Sequence, residues 1–249
     1  MKFLIQTEDE KPIHDFTREL VESCKYNTWL SNSFQYTIDI IDWGTGDNQF
    51  DFDDEDKDFI PIGSVEFVTA FLKRFHNLEP KPWNIPESLL SEKFTKRKVI
   101  NGTKEDVKGH KFVKSNDKIK GFTELKDFGL KNKLPEGNYQ ISDEINIDSE
   151  YRCFIYRGEL VGLKHYSGDF TLFPDMGQIF AMIKEFKDAP IAYTLDVGIN
   201  NEFPPKSETF VIEVHDFFSC GLYGFNDYRI LLHMFAKWFY EYIGLMKKV

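Results

Sequence analysis

The chain has 249 residues, 41% hydrophobic and 16% aromatic with 25 Phe, enough apolar matter for one large domain or two small ones, which excludes a disordered chain. A formal net charge of −10, from 41 acidic and 31 basic residues, argues against indiscriminate duplex binding, which feeds on clustered Lys and Arg. Three separated cysteines, Cys24, Cys153 and Cys220, point to a reducing compartment, and an early acidic turn with no long apolar run predicts a cytoplasmic protein with no membrane partner.

Lys2 to Gln6 reads as an opening strand, and a helix is expected from about His14 to Cys24. Phe34–Ile41 reads as a second strand, and the acidic stretch Asp51–Asp58 as an exposed loop. Ser64 is the expected N-cap of a helix over Val65–Phe75, whose Phe67, Ala70, Phe71 and Phe75 form one apolar stripe. Pro80, Pro82 and Pro86 mark a connector, so the expected division is an α/β lobe over 1–90 and a second domain over 91–249. The span Lys93–Lys120 holds ten Lys or Arg against three acidic residues, a local basic exception that reads as a solvated face or as a groove for an anionic partner.

Lys111–Lys114 and Tyr139–Ile145 look like strands. Arg152–Tyr156 and Leu160–Tyr166 flank Arg157-Gly158-Glu159, which reads as a tight hairpin. Helical spacing runs through Asp175–Phe186, and Ala192–Val197 and Phe210–Val214 are strands joined by a polar loop. Tyr228–Ile243 is an aromatic amphipathic helix expected to close the core. The whole predicts an α+β fold.

Strand alternation puts Glu213 and His215 on one face and turns Asp196 away from Leu195 and Val197. If the two strands pair as a hairpin, Asp196 can lie opposite Glu213. Two carboxylates at mid-strand admit two readings: a polar sheet face that meets solvent, or a divalent cation shared with nucleotide phosphates. No P-loop and no dinucleotide-binding glycine motif is present.

A Lys-bearing strand, a hinge strand, a Glu-x-Arg hairpin, then an Asp strand and a Glu strand follow one another in an order that resembles the ATP-grasp superfamily. The phrases FIPIGSVEF, SEYRCFIYRGELVGLKHYSGDF, AYTLDVG and VIEVHDFFSCGLYGF resemble a clade of small ATP-grasp proteins common in bacteriophage and bacterial genomes, across about residues 59–245. The resemblance implies an ATP-grasp fold, in which two α+β subdomains clasp ATP between antiparallel sheets. It also implies host cytoplasm as the location of a phage-encoded member.

Residue by residue, the resemblance gives Arg97, or its neighbour Lys98, as an upstream contact to nucleotide. Lys114 would reach the phosphates, with Lys118, Lys120 and Gly121 in the loop that closes over them. Glu144 and Ile145 would meet the adenine edge, and Glu150 the ribose hydroxyls. Arg152 and Lys164 would act on the transferring group. Asp196 and Glu213 match the metal-binding carboxylates, and His215 stands where an Asn is usual, which brings in Mn²⁺ beside Mg²⁺. Ser219, Gly221 and Tyr223 follow that strand, where acceptor recognition is expected.

The activity implied is an ATP- and Mg²⁺-dependent ligase that forms an acylphosphate and joins it to an amine or similar nucleophile on a peptide, small molecule or RNA. Two alternatives stand beside it. One is a ligase or modifier of an RNA or other nucleic acid end, motivated by the basic run. The other is a silent binding protein with the same fold, for which His215 is the main support.

Overall fold

Turn and cap chemistry set the element boundaries in this computed structural model, which describes residues 1–9, 11–12, 14–43, 52–108, 111–119, 123–126 (backbone), 134–201 and 207–246. The chain begins with β1 (Lys2–Glu8), β2 (Lys11–Pro12), α1 (Asp15–Leu30), β3 (Thr37–Asp42), β4 (Ile60–Ile62) and α2 (Val65–His76). Then come α3 (Glu92–Thr95), β5 (Val99–Gly102), β6 (Lys111–Ser115), β7 (Thr123–Lys126), β8 (Tyr139–Ser142), β9 (Ser149–Tyr156) and β10 (Glu159–Gly168). Last are α4 (Met176–Glu185), β11 (Ala192–Asn200), β12 (Glu208–Asp216) and α5 (Leu231–Tyr242).

Two compact units form, and neither is one continuous segment. The first is Met1–Glu79 with Pro190–Ala192 and Asp216–Val249; the second is Pro80–Ala189 with Tyr193–His215. A cut near residue 90 divides the chain by order alone, whereas the segment that carries α5 lies with the N-terminal elements. The reason is local. Ser23 and Asn27 on α1 both donate to the Tyr228 carbonyl, at 2.6 and 2.8 Å, and the Ser23 hydroxyl accepts from Leu232 N. The apolar face of α5 also brings Phe235 and Phe239 against Phe16 and Phe71.

In the first unit β1 pairs in parallel with β3 and β4 and antiparallel with β2. Helix α2 starts where expected, because the Ser64 hydroxyl accepts from Phe67 N at 3.1 Å. It stops at Asn77, which takes the left-handed conformation that frees the last carbonyls for capping. The acidic stretch expected as a loop holds a short 3₁₀ turn over Asp54–Asp58.

The second unit contains two four-stranded sheets, ordered β10-β9-β11-β12 and β5-β8-β6-β7. Arg157 and Gly158 both have positive φ, the geometry that a two-residue turn needs between β9 and β10. α4 is capped by Asp175, whose side chain accepts from Gly177 N and Gln178 N, and its Ile179 and Met182 join Tyr151, Cys153, Ile155, Leu195 and Val197 in the main core. The proline-rich connector is buried at Asn84 and Ile85. Its Asn84 bridges to Val214 on β12 and donates to the Ser115 carbonyl on β6 at 2.9 Å, so it ties the two sheets together. One expectation is corrected: β8 ends at Ser142, so Asp143 to Ile147 leave the sheet. Exposed Glu144 and Asn146 gain nothing from a ladder there.

Candidate functional site

Lys114, Arg152, Lys164, Asp196, Glu213 and His215 all stand on strands of the second unit. At the end of β12 the alternation expected from sequence holds: Val214 is buried between Glu213 and His215, which are half-buried. On the neighbouring β11 Asp196 is 1% exposed. One donor atom each from Asp196, Glu213 and His215 lie within 4.8 Å of one another. Two carboxylates and an imidazole this close fit a divalent cation, with the imidazole tilting the set toward softer ions than Mg²⁺.

Each carboxylate is also met by a cation. Arg152 on β9 grips Asp196 with both prongs of its guanidinium, Nε to Oδ1 at 2.8 Å and Nη2 to Oδ2 at 2.7 Å. Lys114, from β6 in the other sheet, donates to Glu213 Oε2, while His215 Nε2 shares a hydrogen bond of 2.7 Å with Glu213 Oε1. Burial would raise the Glu213 carboxyl, but the hydrogen bond and charge of His215 and the charge of Lys114 outweigh it and hold the group well below the usual range. Glu213 is thus ionised at neutral pH, which is the state a bound cation would require.

Lys164 pairs in register with Arg152 and shares its face of the sheet. Glu150, two residues before Arg152 on β9, accepts from the Tyr166 hydroxyl at 2.7 Å. The Tyr166 ring lies 5.8 Å from the Arg152 guanidinium carbon. Tyr166 is not among the residues expected from sequence.

A cavity of about 280 Å³ is lined by Arg97, Phe112, Asp143, Glu144, Ile145 and Ile212, among others. It collects three sequence-expected residues, Arg97, Glu144 and Ile145. Arg97 is tied down by its Nη1, which donates to the Thr95 and Val211 carbonyls at 2.9 and 3.3 Å, and its guanidinium stacks over Phe210. Burial lowers it to about 10, against the pull of Asp143. Mixed apolar walls with a few polar edges suit a flat heteroaromatic ring. Lys98 lines a different cavity, with Lys108 and Lys111.

Not every expected residue joins these groups. Lys118 is exposed, and Lys120 and Gly121 lie outside the described residues. Ser219, Gly221 and Tyr223 belong to the first unit, where the Ser219 hydroxyl donates to the Gly63 carbonyl at 2.6 Å. Cys24, Cys153 and Cys220 are free and buried; burial pushes the Cys24 thiol up to about 12, and that of Cys153 higher still, which rules against thiolate chemistry at those two.

The family model described as ATP-grasp domain, R2K clade family 2, matches residues 94–232. No curated protein matches the chain. Among solved structures, D-alanine–D-alanine ligase from Bacillus anthracis, complexed with ATP, is similar with a TM-score of 0.53 and 13% identity over 97% of each chain. N5-carboxyaminoimidazole ribonucleotide synthetase from Thermotoga maritima gives a TM-score of 0.52 at 10% identity, over 95% of this chain and 76% of that one. At such identities the likeness is one of fold. No helix among the described residues is long and apolar enough to cross a membrane.

Proposed function

Because the chain belongs to the ATP-grasp domain family, R2K clade family 2, we propose that it is an ATP- and Mg²⁺-dependent ligase of carboxylate–amine type. The observation that carries this reading is the cluster of Asp196, Glu213 and His215, with donor atoms within 4.8 Å, set against the cations of Lys114 and Arg152. A surface-facing sheet would have no use for two carboxylates partnered by two cations at such low exposure.

In the proposed reaction a substrate carboxylate oxygen attacks the γ-phosphorus of ATP, the bond from that phosphorus to the β–γ bridging oxygen breaks, and ADP leaves. The acylphosphate then meets an amine, the new C–N bond forms, phosphate departs, and the amine gives up a proton. Arg97, Glu144 and Ile145 hold the base, and Glu150 the sugar. Arg152, Lys164 and Lys114 offset charge at the phosphoryl group and orient it for in-line attack. Asp196 and Glu213 would hold Mg²⁺, or Mn²⁺ with His215 added; the ion supplies charge neutralisation on the phosphate oxygens. A carboxylate nucleophile needs no general base.

The cavity that gathers Lys98, Lys108 and Lys111 favours a second reading of the acceptor, as a nucleic acid end. Incubation with ATP, Mg²⁺ and either a peptide pool or an RNA pool separates the two by which pool gains mass, with ADP release followed in parallel. Nucleotide binding without turnover on any pool would return the protein to a silent binding role.

A further inference from the structure

The pairing of β9 with β10 is irregular at two places, between Leu160 and Gly162 and between His165 and Ser167, and the second concerns the site. On β10, Lys164 faces Arg152 and His165 faces Tyr151, but Ser167, not Tyr166, faces Glu150. Tyr166 is therefore the extra residue of a β-bulge, a device that re-aims a side chain relative to the regular ladder. The bulge is anchored just beyond. Gly168 has φ of +80°, and a Cβ there would come within 2.2 Å of the Asp148 carbonyl oxygen, so only glycine lets the strands close. Asp169 N donates to that same carbonyl at 2.8 Å, and Asp148 N donates to the Ile199 carbonyl at 2.8 Å.

The re-aimed phenol donates to Glu150 Oε2 at 2.7 Å, and burial followed by the nearby Asp196 and Glu150 carboxylates keeps it protonated far above neutral pH. Protonated, it keeps its donor proton for Glu150. Among the described residues no hydrogen bond reaches Glu150 Oε1. A carboxylate with one oxygen clamped and the other open is prepared to accept from a hydroxyl.

We propose that Tyr166 is a positioning residue: it clamps one oxygen of Glu150 and thereby presents the other to the sugar hydroxyls of the nucleotide, so that the site selects ribonucleotides over deoxy counterparts. This rests on the ATP reading above. The bulge explains why a tyrosine is needed, since a residue in regular register would stand across from Glu150 and not at the end of its carboxylate. A Phe at the position keeps the ring beside Arg152 and removes the hydroxyl that clamps Glu150.

The test is calorimetric binding of ATP and of 2′,3′-dideoxy-ATP to the full chain and to Tyr166→Phe, with Mg²⁺ present. The wild type is expected to prefer ATP about tenfold, the size of one hydrogen bond to a charged acceptor. In Tyr166→Phe the ratio of the two affinities falls to within about twofold. An unchanged ratio in that variant overturns the proposal, as does a wild type that binds both nucleotides equally. Should Tyr166→Phe fail to fold, Glu150→Gln reads the same ratio, and its persistence has the same meaning. A wild type that binds neither nucleotide overturns the ATP reading itself, and does so before any variant is made.

Discussion

Strands β1 and β11 are both interior strands buried along almost their whole length, yet they hold their polar residues in opposite ways. On β1 the buried Gln6 and Thr7 are neutral, and they stitch backbone. Gln6 donates to the Trp43 carbonyl at 2.9 Å and accepts from Ser64 N at 2.7 Å, while Thr7 donates to the Ile41 carbonyl at 3.2 Å. On β11 the buried polar residues are Thr194 and an ion, Asp196, whose partner is another ion. Neutral groups that satisfy backbone add stability at little desolvation cost, whereas a buried ion pair roughly breaks even against apolar residues of the same volume. The first pattern belongs to a scaffold. The second makes sense where charge is needed for chemistry.

That contrast can be broken most sharply at Asp196. Asp196→Ala removes the carboxylate that the buried Arg152 guanidinium grips with two hydrogen bonds and is expected to cost about 3–5 kcal/mol in a urea titration. Replacing both partners, Asp196→Leu with Arg152→Met, should recover most of that loss while ATP turnover stays abolished. On β1, Gln6→Leu should cost about 1–3 kcal/mol, from the two backbone groups it orphans. A double replacement of Asp196 and Arg152 that remained as unstable as the single one would show the ion pair to be scaffold after all.

Glu213→Gln keeps the shape and removes the charge, so ADP release should drop about a hundredfold or more while the fold persists. The same residue carries a pH signature. Its folded pKa is depressed, so its contribution to stability is present above the unfolded value, about 4.3, and is lost as pH falls through the folded one. In chelator-containing buffer the wild type should therefore lose stability on acidification below about pH 4 more steeply than Glu213→Gln. The smallest effect is expected at Lys164, exposed to solvent more than Arg152: Lys164→Met should lower turnover about tenfold and shift stability by no more than about 0.5 kcal/mol.

Much of the site's grouping was legible because it rests on short-range rules. Alternation along β12 put Glu213 and His215 on one face, and a hairpin-length connection put β11 beside it, so Asp196 joined them. Ser64 announces its helix by capping chemistry, and α4 is announced by its apolar spacing. What escaped depends on long-range geometry. The bulge at Tyr166 is a matter of backbone register, and no residue type signals it. The segment after Ser142 reads as strand by composition but loses its pairing partner. Helix α1 runs to Leu30, not Cys24, because Asn27 finds a carbonyl on the segment before α5, far along the chain. The same contact returns the C-terminal segment to the first unit, which no cut in chain order can express.

Calorimetric titration of ATP in the presence and absence of Mg²⁺, with the wild type and an Asp196→Asn, Glu213→Gln double variant, bears most directly on the carboxylate pair as the metal–triphosphate anchor. The wild type should bind ATP at least about tenfold more tightly with Mg²⁺ than with chelator, and the double variant should show no such difference. Equal ATP affinity with and without the ion in the wild type, or an undiminished Mg²⁺ effect in the double variant, would contradict it.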